Sequence, residues 1–124
     1  MPNSAQHARI VLTTASNPDE AALLARTLVE ERLAACATLI PGVESIYHWE
    51  GQIETSVEAL LLIKTGLEQL PALESRLREL HSYQIPEFLV LDIESGSHAY
   101  LEWLHFSLRK PQTAAANPSL SGPA

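Results

Sequence analysis

The sequence predicts a small α+β domain with the element order βαββαβ and an extra C-terminal helix. Three observations lead there. β-Branched apolar runs of strand length alternate with stretches whose apolar residues recur at helical spacing. The second and third runs are joined by a short turn signal, which makes them a hairpin. The length of 124 residues is enough for one domain with one core.

Residues 10–14, Ile-Val-Leu-Thr-Thr, form the first strand. Asn17-Pro18-Asp19-Glu20 follows, with an N-cap residue, a proline suited to the first helical position and a glutamate at capping-box spacing. Ala21, Leu24, Ala25, Leu28 and Val29 then make one apolar stripe, so helix one is expected over residues 18–33. Residues 36–40 are the next strand, and Pro41-Gly42 marks a kink or bulge within it. The strand resumes over residues 43–49, turns at Glu50-Gly51-Gln52 and returns over residues 53–65. The return ends in Ala59-Leu60-Leu61-Leu62-Ile63, a run suited to burial on both faces. Both hairpin strands are longer than the usual five or six residues, so the far end of the arm needs a neighbour to cover it. Helix two is expected over residues 67–80, with Leu70, Leu73, Leu77 and Leu80 on one face. A loop over residues 81–87 leads to strand four over residues 88–93, and Tyr100, Leu101, Leu104 and Leu108 mark helix three.

The two split β-α-β units predict a four-stranded antiparallel sheet with helices on one face. Apolar residues on both faces of the strands predict that another chain covers the second face, hence a homo-oligomer. Residues 1–8 are expected to be loose, residues 9–109 to form the domain, and the tail of Pro, Ala, Ser, Asn and Gly over residues 110–124 to be disordered.

Composition narrows the function classes. The apolar share of 46% and charged share of 19% match soluble globular domains. No run approaches the roughly 20 apolar residues of a membrane span, and the N-terminus lacks the features of a signal peptide, so a cytoplasmic protein is expected. The net charge of −7 and eight unclustered Lys and Arg exclude a phosphate-tracking surface, so no nucleic-acid partner is expected. Cys36 is the sole cysteine, which excludes an internal disulfide and any CxxC motif. G-x-S-x-G, phosphate-loop and dinucleotide fingerprints are missing, so no enzyme is predicted.

Three strings carry a family resemblance. They are Val29-Glu30-Glu31-Arg32-Leu33-Ala34-Ala35-Cys36, then Ile40-Pro41-Gly42-Val43 with Ser45-Ile46-Tyr47-His48-Trp49-Glu50-Gly51, then His81-Ser82-Tyr83-Gln84-Ile85-Pro86-Glu87. With Tyr100-Leu101-Glu102-Trp103-Leu104, and in this order and spacing, they resemble the CutA family of divalent-cation-tolerance proteins over about residues 8–109. The resemblance implies a ferredoxin-like protomer in a tight homotrimer with strands shared across subunits. It also implies tolerance to copper and other divalent cations, binding of Cu(II), and no defined enzymatic activity.

His81 and Glu87 are the candidate metal ligands, since imidazole suits Cu(II), Zn(II) and Ni(II). The alternative for His81 is a helix C-terminal cap favoured by the dipole. The copper site implied by the resemblance falls on Thr13, Leu80 and His81, of which only His81 keeps a metal-ligand side chain. His7, His48, His98 and His105 show no helical metal-site spacing. The resemblance also implies an intersubunit cleft, here lined by Cys36, Trp49, Lys64, Tyr83, Glu87, Tyr100 and Trp103. Cys36 by itself reads as a buried small hydrophobe. Lys64, a lone cation in a hydrophobic strand, is expected to pair with Glu87 or meet an anionic ligand. Two functions follow as expectations. One is a non-catalytic trimer that binds a divalent cation and needs no cofactor. The other is a trimer like the PII signal proteins, holding a small anionic ligand in the cleft.

Overall fold

The structure, a computed structural model, describes residues 4–110. A 3-10 turn (Ser4–His7) leads into β1 (Ala8–Ala15), α1 (Pro18–Glu30), β2 (Cys36–Trp49) and β3 (Gln52–Gly66). A second 3-10 turn (Leu67–Gln69), α2 (Leu70–Leu80), β4 (Leu89–Asp92) and α3 (His98–Leu108) complete the chain. The strands form one sheet in the order β2-β3-β1-β4, antiparallel throughout. This is the ferredoxin-like α+β arrangement that the element order predicts.

Local chemistry sets the boundaries. Asn17 caps α1, its Oδ1 accepting the Glu20 N–H at 2.8 Å. The helix stops at Glu30, earlier than its apolar periodicity suggests, because Arg32 takes a left-handed φ of 62°. The N–H groups of Leu33 and Ala34 then both return to the Leu28 carbonyl. The register of β2 on β3 shifts between Ile40 and Val43, so Pro41 and Gly42 together oppose Ala59 as a bulge. Gly42 sits there at φ +73°. Trp49 pairs with Gln52, which leaves Glu50-Gly51 as a two-residue turn with positive φ at both positions. Helix two is divided: residues 67–69 are 3-10, and Pro71 lies in the first turn of α2.

Helices α1 and α2 cover one sheet face. Leu24, Leu28, Leu73 and Leu77 pack there on Val11, Ala15, Leu61 and Ile63. Ala8 and Val11 are three residues apart on β1 and so point to opposite faces. Helix α3 packs Leu101, Leu104 and Leu108 on Ala8, Ala35 and Ala5, which places it across the end of the second face. The helices of the two β-α-β units thus share one face, as expected, and the extra helix α3 lies on the other. Of the stretch over residues 1–8 expected to be loose, residues 1–3 lie outside the described residues, residues 4–7 form a turn, and Ala5 and Ala8 are buried. Their small side chains let α3 approach closely. The expected disordered tail, beyond Lys110, lies outside the described residues. No helix among the described residues is long and apolar enough to cross a membrane.

The rest of the second face is open in the protomer. Leu91 and Leu89 stand beside Ile10 and Leu12 in register and are exposed, as is Ile40. Beyond the core the hairpin arm exposes Ile46, Trp49, Ile53 and Val57.

Candidate functional site

Helix α2 ends where His81 leaves helical dihedrals, its N–H still bonded to the Leu77 carbonyl at 2.9 Å. That turn drives the imidazole inward until its side chain is 0% exposed. Nδ1 accepts the Tyr83 N–H at 3.0 Å, and Nε2 lies 2.7 Å from the Thr14 carbonyl. A carbonyl only accepts, so the proton is on Nε2, and both ring nitrogens are spent on backbone groups. Beside the ring, Glu20 Oε1 accepts the Ser16 N–H at 3.0 Å and the Ser16 hydroxyl at 2.7 Å. Glu20 Oε2 accepts the Ser82 N–H at 2.8 Å. Burial opposes ionisation of Glu20, but these hydrogen bonds together outweigh it and bring the carboxyl down to about 2.

Tyr83 follows in the same loop. Its ring lies 4.7 Å from the His81 ring, and its hydroxyl donates to Glu58 Oε2 at 2.5 Å. Burial first, then the bond to the Glu58 carboxylate, push the Tyr83 phenol well above its ordinary range. Glu58 is itself buried and opposes Val43, the first paired residue after the bulge.

The implied copper site can be tested against these contacts. The Thr13 hydroxyl is buried and has no hydrogen-bond partner among the described residues, and a neutral hydroxyl is a weak ligand for Cu(II). Leu80 offers no donor atom and packs against the core. His81 has no free lone pair. These residues do not fit the metal. Among the described residues no three His, Cys, Asp or Glu side chains group together to hold a cation. Glu87 is exposed and joins His81 in no such group. Within the protomer, backbone groups engage both ring nitrogens of the expected ligand His81.

The expected cleft residues separate into groups. Cys36 and Lys64 are paired in register, and the Lys64 ammonium donates to Thr38 Oγ1 at 2.5 Å and Cys36 Sγ at 3.7 Å. Among the described residues Lys64 has no carboxylate within 4.0 Å, so the expected pairing with Glu87 does not form within the protomer. Tyr100 belongs to this group: burial, then the neighbouring Cys36, raise its phenol above the ordinary value. The Trp103 ring packs at a tilt 5.4 Å from that of Tyr100, and Trp103 lines a groove with Leu67, Phe106 and Arg109. Six residue steps along β3, about 20 Å of extended strand, separate Lys64 from Glu58, the partner of Tyr83. Trp49 is at the arm tip. Glu20, Glu58 and Thr38 were not singled out in the sequence. The signals available were the capping-box spacing of Glu20 and the lone carboxylate Glu58 at the head of a buried apolar run.

Comparison with known proteins gives a consistent result. The profile of the CutA1 divalent ion tolerance protein family matches residues 9–107. The divalent-cation tolerance protein CutA of Thermus thermophilus is 44% identical over 95 residues, 77% of this chain and 92% of that protein. The CutA structure from Xylella fastidiosa superposes with a TM-score of 0.81 at 38% identity, covering 83% of this chain and 99% of that one. CutA1 from Oryza sativa superposes with a TM-score of 0.83 at 38% identity, covering 88% and 100%.

Proposed function

The chain belongs to the CutA1 divalent ion tolerance family, and on that premise we propose that it acts without catalysis, as a homotrimer that binds divalent cations, copper among them, at exposed groups of the assembly. The observation that carries this reading is the uncovered apolar surface. Ile40, Leu89 and Leu91 on the open sheet face and Ile46, Ile53 and Val57 on the arm are all more than two-fifths exposed in the protomer. Surface of this kind on adjoining strands is stable in water only when another copy covers it. The threefold number comes from the family resemblance. Because His81 is closed to metals, cations fall to exposed imidazoles and carboxylates, which the net charge of −7 favours.

Light scattering and Cu(II) calorimetry on wild type and His81→Ala test the reading. A particle three times the chain mass and saturable Cu(II) binding that the variant keeps are expected. A monomer at micromolar concentration, or no saturable binding, overturns it.

One observation favours a second reading. A half-buried ammonium with no carboxylate partner among the described residues, Lys64, suits a small anionic ligand held between subunits, as in the PII-like alternative. Small organic anions should then raise the melting temperature of wild type and not of Lys64→Ala. Equal shifts in both would remove the reading.

A further inference from the structure

We infer that the junction of β1 and α2 is a metal-independent clamp, in which His81 and Glu20 fix the loop after α2 to the end of β1 and so hold Tyr83 on Glu58 at the root of the hairpin arm. His81 is one of the positions where the family resemblance implies a copper site. In this chain it and Glu20 hold backbone groups instead.

Three consecutive loop residues are held, each by a different bond. The His81 ring reaches the Thr14 carbonyl, the Ser82 N–H reaches Glu20, and the Tyr83 N–H reaches the His81 ring. The first two tie the loop to the β1–α1 turn, which Glu20 closes through Ser16. A metal at Nδ1 would displace the Tyr83 N–H. A metal at Nε2 would leave the Thr14 carbonyl without its donor in a sealed site, and buried backbone groups resist that. Thr13, a second position of the implied copper site, brings only a hydroxyl that has no hydrogen-bond partner among the described residues.

The far end of the clamp is the arm. Tyr83 grips Glu58, which is the β3 partner of Val43 directly past the Pro41-Gly42 bulge. The direction in which the arm leaves the core is therefore set where the clamp attaches. The arm carries Ile46, Ile53 and Val57, the apolar side chains offered to other copies. His81, Glu20 and Tyr83 are positioning residues for that surface. This inference stands on protomer contacts and goes beyond the cation-binding reading.

Nuclear magnetic resonance on the full-length, isotope-labelled chain tests it. In wild type the His81 ring should show the Nε2–H tautomer, and its signals should stay sharp at Cu(II) levels that broaden those of exposed His98. Amide exchange of residues 53–58 should rise about tenfold in His81→Ala and in Tyr83→Phe. His81→Asn places an amide oxygen where Nδ1 was, and should restore most of the protection. Glu20→Gln supplies the same readout if His81→Ala fails to fold. Stoichiometric Cu(II) broadening of the His81 ring, an Nδ1–H tautomer, or arm exchange unchanged in these variants overturns the clamp. A monomeric chain with an intact Nε2–H signature would defeat the proposed trimer and leave the clamp standing.

Discussion

Thr13 and Glu20 show how much one atom decides at the junction. The Thr13 hydroxyl is buried and bonds to none of the described residues, so it carries a desolvation cost without return. Thr13→Val keeps the shape and removes that cost. We expect it to stabilise the chain by about 1 kcal/mol in urea unfolding, because replacing an unsatisfied polar group by an apolar isostere is favourable. Glu20 is the opposite case. Its carboxyl falls from an ordinary 4.5 to about 2 in the folded chain because three donors converge on the charged form. A folded value below the unfolded one stabilises above pH 4.5, and the contribution is lost as the pH falls from about 4.5 to about 2. Glu20→Gln turns an amide toward backbone donors, and should cost about 1.5–3 kcal/mol at pH 7. Its unfolding curve should also be flatter than that of wild type between pH 5 and pH 3. An unchanged acid limb would mean that another group governs it.

At the scale of elements, the hairpin arm is shaped by two backbone reversals of unusual hand. Gly42 in the bulge and Gly51 in the turn have φ of +73° and +81°, and a Cβ at either would meet nothing within 4 Å. Steric crowding is thus absent, and only the cost of a left-handed residue remains. Gly42→Ala and Gly51→Ala should each lose about 1 kcal/mol in equilibrium unfolding. A loss of several kcal/mol would point to contacts made in an assembly. The arm was legible in the sequence because Pro-Gly and Glu-Gly interrupt β-type runs, and glycine has a physical reason to stand there. The end of α1 was not. Apolar periodicity continues to Leu33, and nothing in the residue type of Arg32 announces a φ of 62°. Its guanidinium bonds the Ser107 carbonyl at 2.9 Å, a contact 75 residues away that no local pattern could indicate. The site followed the same division. Tyr83, His81, Lys64 and Cys36 could be named as residue types, but their partners depend on register. Lys64 faces Cys36 because β2 and β3 pair there, whereas Glu87 precedes β4 at the opposite edge of the sheet from β2.

For the whole molecule, the open sheet face separates a working protomer from a working assembly. Leu91 pairs with Ile10 in register and points to the face that α3 leaves uncovered. In an isolated chain a lysine there would keep its ammonium in water, and exposed substitutions of that kind usually change stability by less than about 0.5 kcal/mol. In an assembly the same ammonium would be buried against a neighbouring sheet without a partner, and an unpaired buried charge is strongly destabilising. We expect Leu91→Lys to reduce the particle mass in light scattering, to lower the melting temperature, and to weaken the dependence of that temperature on protein concentration that mass action gives the wild-type assembly. Leu23→Lys is the matched control. Leu23 is 62% exposed on α1, which packs on the opposite face, and the change there should leave both mass and melting unaltered. Equal behaviour of the two variants would mean that the open face is solvent-facing in solution. The exposed arm would then need a partner of another kind. A selective effect of Leu91→Lys would assign the uncovered strands to contact between copies, and with them the surface on which any intersubunit ligand or cation must be held.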